Sequence, residues 1–115
     1  MTLEELLQQL DKYQRETKLW LVNPKRQKEF TAAYHSIREM ILAEDENAII
    51  ECSESPIDDG SMSICVTTYW LTVREIEQFW RAINKANNFE VYPIKGDKVR
   101  FNILFEDMMT PISKK

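Results

Sequence analysis

Glycine is almost missing from this chain: Gly60 and Gly96 are the only two in 115 residues. Isolated glycines cannot build the loops that cradle phosphates in dinucleotide-binding or P-loop motifs. With only four prolines as well, there is little room for long irregular connections. Cysteine is equally scarce. Cys52 and Cys65 are separated by twelve residues, which matches no zinc or redox spacing. His35 is the single histidine, and it falls inside a helical pattern beside Tyr34 and one turn from Glu39. A nucleophile–histidine set would need one of the cysteines, and neither sits in a nucleophile turn or at a helix N-terminus, where a thiolate is stabilised. No run of about eighteen apolar residues exists, so no transmembrane helix is expected. The start, Met-Thr-Leu-Glu-Glu, lacks the basic first residues and apolar core of a secretory signal. These absences predict a cytoplasmic protein with reduced thiols, no membrane association, no cofactor, no metal and no catalytic constellation.

What is present is an ordinary globular balance, 43% apolar and 30% charged, which argues against disorder. At this length the chain suits one domain able to bury its core without metals or disulfides. The net charge of −4 disfavours non-specific nucleic-acid or anionic-membrane binding by the domain as a whole.

The plainest structural signal lies at Trp70–Phe79, where alternation gives way to helical periodicity. Thr72 and Glu75 have the spacing of a capping box, and Leu71 with Ile76 that of its hydrophobic staple. An α+β fold follows, in the order α-α-β-β-α-β-β. Residues 1–43 read as a helical hairpin, 44–106 as a ββαββ sheet unit, and 107–115 as a fraying tail. The first helix runs from Thr2 to Lys18, with a Thr2/Glu5 capping box and a stripe of Leu3, Leu6, Leu7, Leu10 and Tyr13. Leu19–Val22 is apolar but too short to type. Asn23-Pro24 then caps and opens a second helix that reaches Ala43, with Phe30, Ala33, Tyr34, Ile37, Met40 and Ile41 inward.

Ala48–Ser53 and Met62–Leu71 read as strands, Val73–Ala86 as a helix with Val73, Ile76, Phe79, Trp80 and Ile83 on one face. Phe89–Ile94 and Lys98–Glu106 complete an antiparallel sheet of about four strands, with helices packed on one face. Parity sets the registers. A three-residue loop at Lys95-Gly96-Asp97 pairs Val91 with Phe101 and Phe89 with Ile103. Cys52 opposite Ile64, with Ile50 opposite Val66, packs better than Cys52 opposite Cys65, so two thiols unjoined by a disulfide are expected. Pro93 cannot donate to a ladder and places its strand at an edge or a bulge.

Three surfaces could carry function. Glu51, Glu54, Asp58 and Asp59 cluster near one loop, but without the spacing of a calcium loop, and read as a solvated acidic turn. Lys25, Arg26 and Lys28 crowd the start of the second helix, where cations oppose the macrodipole, with Lys18 and Trp20 just upstream. That set suits an anion or a nucleic acid, unless Glu29 and Asp11 or Glu16 neutralise it and Trp20 is core. Tyr69 and Tyr92 fall on the outward parity of their strands, beside Thr67, Arg100 and Asn102, and form a candidate protein-binding patch. The expectation is a small non-enzymatic interaction or regulatory module that binds a protein partner or itself; the alternative is a nucleic-acid-associated regulator acting through the basic connector.

Overall fold

The computed structural model describes residues 2–17, 20–54, 60–69, 73–94 and 98–111. The first helix, α1 (Leu3–Thr17), opens on the expected capping box. Thr2 N–H donates to Glu5 Oε1 at 2.9 Å, and Glu5 N–H donates to Thr2 Oγ1 at 3.1 Å. Its leucine stripe buries Leu3, Leu6 and Leu10. In α2 (Pro24–Glu44), Asn23 is the N-cap, accepting from Arg26 N–H at 3.3 Å, and Pro24 occupies the first turn, where its missing N–H costs nothing. The inward face of α2 is Phe30, Ala33, Tyr34, Ile37 and Ile41.

Strands β2 (Ile49–Glu54), β3 (Met62–Thr68), β4 (Asn88–Pro93) and β5 (Val99–Phe105) form an antiparallel sheet in the order β2-β3-β5-β4, with α3 (Val73–Ala82) linking β3 to β4. Along β3 burial alternates strictly, with Met62, Ile64, Val66 and Thr68 inside. Phe101, Ile103 and Phe105 of β5 share that face and meet α1, α2 and α3 in a single core. Aromatic rings knit it together: Phe30 meets Phe105 edge-on at 5.2 Å, and Phe79 lies 5.1 Å from Phe101. Both predicted registers are found, Val91↔Phe101 with Phe89↔Ile103, and Cys52↔Ile64 with Ile50↔Val66. The two cysteines consequently occupy opposite faces of the sheet and are not joined.

Pro93 does lie on an edge strand. Ile94 N–H donates to Lys98 O, so by antiparallel alternation the N–H groups of Tyr92 and Glu90 also turn inward, and those of Phe89 and Val91 turn to the free edge. Pro93 has no N–H to offer there. Phe89 N–H is taken by Asn88 Oδ1 at 2.9 Å, which leaves Val91 alone to donate along this edge.

Three expectations need correction. Leu19–Val22, left untyped, contributes β1 (Trp20–Val22), which pairs with β6 (Met109–Pro111) in a separate two-stranded sheet. Residues 107–111 are thus not a fraying tail. Met108 is fully buried and Met109 nearly so; Met108 N–H donates to Gly60 O, and Asn23 N–H donates to Met108 O. Gly60 is required here. Its φ is +69°, and a Cβ would stand 2.5 Å from Met109 O. The third correction concerns α3, which stops at Ala82 rather than Ala86. Asn87 N–H already pairs with Leu104 O, so the chain must leave the helix early, through an Ala86 N–H to Ile83 O turn. The Thr72/Glu75 capping box with its Leu71/Ile76 staple and the Lys95-Gly96-Asp97 turn lie outside the described residues.

Candidate interaction surface

Because α1, α2 and α3 pack on one face of the sheet, the other is left open among the described residues, and the ladder registers set out its side chains in rows. One row reads Ile49, Thr67, Arg100, Tyr92; the next Glu51, Cys65, Asn102, Glu90; the third Ser53, Ser63, Leu104, Asn88. Tyr69 continues the outward parity of β3. Its ring lies under Lys98 Nζ, 5.6 Å from the centroid.

Tyr69 and Tyr92 are 47% and 41% exposed, and Ile49 51%. The two tyrosines share a face but do not touch as a single aromatic patch. β5 runs between their strands, so about 10 Å separates them at ordinary strand spacing. Arg100 and Lys98 of that intervening segment interleave with them, and one end of the face is therefore both cationic and aromatic.

Polar side chains on this face are tied to one another. Tyr92 Oη donates to the Glu90 carboxylate, which raises the tyrosine's pKa because ionising it would lose that bond and place two negative charges together. Cys65 Sγ lies 2.9 Å from Asn102 Oδ1, and the Ser53 and Ser63 hydroxyls are 2.8 Å apart. At the sheet end nearest Tyr69, Asp45 Oδ2 accepts from Thr68 Oγ1 at 2.7 Å and from Tyr69 N–H at 3.3 Å. These donors, Thr68 first, hold the Asp45 carboxyl below the usual range.

The basic connector is dispersed by the fold. Arg26 turns inward. Nε donates to Glu106 O and Nη1 to Lys85 O, both at 2.9 Å, while Nη2 donates to Asn87 Oδ1. A salt bridge to Glu29 at 2.7 Å completes the set, and the guanidinium stands 5.1 Å from the Phe105 ring centre. The same arginine depresses the Glu29 pKa by its hydrogen bond. Asp11, one of the two acids of α1 expected beside Glu29 to neutralise the cluster (the other being Glu16), pairs instead with Arg15 at 3.2 Å. Lys25 and Lys28 remain exposed on α2, while Lys18 and the side chain of Trp20 lie outside the described residues.

The residues that might have built a nucleophile stay apart. His35 is exposed on α2 with its ring against Tyr34, whereas Cys52 is buried in the core, which pushes its thiol up to about 12. Of the acidic loop, Glu51 is exposed on the open face, and residues 55–59 lie outside the described set. Among the described residues no group of three or more His, Cys, Asp or Glu side chains could hold a metal ion, and no helix is long and apolar enough to cross a membrane.

Reading Trp80 as part of the inner face of α3 was wrong. It is 59% exposed and packs only edge-on against Phe89, at 5.7 Å. Phe79 of the same helix is the ring that packs on Phe89 and Phe101, which leaves Trp80 on the flank of the apolar stripe; Val91, on the edge strand, is half exposed as well. Pro93 was the available signal, since an edge position implies incomplete cover. Comparison with protein-family models, with curated proteins and with solved structures finds no match to this chain.

Proposed function

We propose that this chain is a non-enzymatic binding module that docks another protein on the open face of its sheet, at the end carrying Tyr69, Lys98, Arg100 and Tyr92. The observation that carries this reading is the interleaving of half-exposed tyrosines with two cations on a face that no helix covers. Tyrosine supplies large contact area with few rotors to freeze and arginine a planar fork of donors, and both are enriched at interface hot spots. The cations favour a partner segment bearing carboxylates. The adjoining row, with Glu51 and Glu90, together with the net charge of −4, repels a phosphate backbone, which ranks a protein above a nucleic acid. The connector reading has less support, since Arg26 is committed within the fold and, among the described residues, Lys25 and Lys28 are its exposed remainder.

The test is affinity capture with the immobilised chain, side by side with Tyr92→Ala/Arg100→Glu and Lys25→Ala/Lys28→Ala variants, and with labelled oligouridine as a second probe. A partner lost at least tenfold by the first variant and retained by the second is the expected result. Recovery insensitive to the open-face changes, or oligouridine binding abolished by the lysine variant, would overturn it.

A further inference from the structure

A second surface lies around the edge of β4 and borders the open face at Asn88. Trp80, Ile83 and Phe89 with Asn84, Asn87 and Asn88 line a groove of about 370 Å³ between the end of α3 and the edge strand. We propose that this groove binds a neutral proline-rich segment of a partner protein in the polyproline II conformation.

Three observations select that occupant. The first is what the edge cannot do. With Phe89 N–H capped by Asn88 and Pro93 lacking an N–H, the edge offers the carbonyls of Phe89, Val91 and Pro93 but only the Val91 N–H, so the carbonyls of an added β-strand would go largely unpaired. The occupant must therefore be a chain that forms no ladder, and polyproline II is the extended conformation whose backbone makes none. The second is the polarity of the asparagines. Asn87 Oδ1 accepts from Glu106 N–H at 2.8 Å and from Arg26, and Asn88 Oδ1 accepts from Phe89 N–H. These donors settle which end of each amide is oxygen. Both NH₂ ends are left without a protein acceptor among the described residues, so the groove offers donors. Proline-rich chains are rich in carbonyl acceptors and poor in N–H. The third is the lining itself: an exposed tryptophan braced by Phe89, no charged side chain among the described residues, and room for about one turn of polyproline II, roughly 9 Å of chain. Aromatic-lined grooves of this kind are what such helices dock into.

The experiment is a titration of the isotopically labelled full chain, followed by the amides of Ala86 and Phe89 and by the Trp80 indole N–H, which is identified by its loss in Trp80→Phe. The probes are an oligoproline peptide, a glycine–serine peptide of equal length and oligouridine. Saturable shifts with oligoproline alone are expected, abolished by Trp80→Ala and unchanged by Tyr92→Ala, which separates this groove from the open face. Asn87→Asp and Asn88→Asp keep the acceptor that holds the backbone but remove the donor, and should each weaken binding about fivefold while the chain stays folded. Absence of saturable shifts, equal shifts with the glycine–serine peptide, shifts with oligouridine instead, or the same shifts on raising protein concentration without peptide would each overturn the proposal.

Discussion

Arg26 touches three separate segments: its own helix, the connection from α3 to β4 at Lys85 and Asn87, and the end of β5 at Phe105 and Glu106. Deleting its side chain releases Glu106 O and Lys85 O to water, leaves the Glu29 carboxylate without its partner and removes the cation from Phe105. Arg26→Ala should therefore cost about 2–4 kcal/mol, since charged hydrogen bonds each contribute substantially but not additively. A fall in melting temperature of roughly 10 °C in a thermal scan would register it. Lys25→Ala and Lys28→Ala, which touch no such network, should stay within about 0.5 kcal/mol of the parent in the same scan. The thiols differ just as sharply. Cys65, on the partly exposed open face, should react with a thiol reagent in the native protein, while Cys52 should label only as fast as the chain unfolds; mass spectrometry of timed aliquots distinguishes the two.

Among the elements, β4 shows how an edge is kept from pairing. Its free side is blunted by Pro93 and by the asparagine that caps Phe89. Pro93→Val should restore an outward donor beside Val91 and promote concentration-dependent self-association, visible as a rise in sedimentation coefficient between dilute and concentrated samples. Much of this sheet was legible in advance. Strict alternation along Met62–Thr68 and a parity argument on Val91 and Phe101 were enough for both hairpin registers, because a one-residue slip would turn the whole apolar set outward. The β1–β6 pair was not legible. Three-residue strands hold no periodicity to detect, and their pairing joins distant parts of the chain. The candidate surfaces were partly legible: outward parity found Tyr69 and Tyr92, but the contacts that absorb Arg26 and the exposure of Trp80 depend on tertiary placement, which local pattern does not encode.

For the molecule as a whole, stability should be bounded at both ends of the pH scale. Asp45 and Glu29 have folded pKa values below their unfolded ones, so the stability they contribute is complete above an unfolded value of about 4 and is lost as pH falls through the folded values. Cys52 works in the opposite sense. Its folded pKa of about 12 exceeds the unfolded value, so its contribution is complete below about pH 8.5 and declines as pH rises toward 12. Denaturation midpoints measured across pH should show a plateau between these limbs. Asp45→Asn should soften the acid limb and Cys52→Ala the alkaline one.

Pairing Trp20–Val22 with Met109–Pro111 closes a loop of about ninety residues, a larger entropic cost than either hairpin of the main sheet carries. Such a clasp belongs to the downhill side of the folding barrier, after the hairpins and the helical pair have met. Loosening it, for example by Met109→Ala, should leave the refolding rate nearly unchanged and speed unfolding, a split that a chevron plot reads directly. The buckle formed last would then govern how long the native state persists.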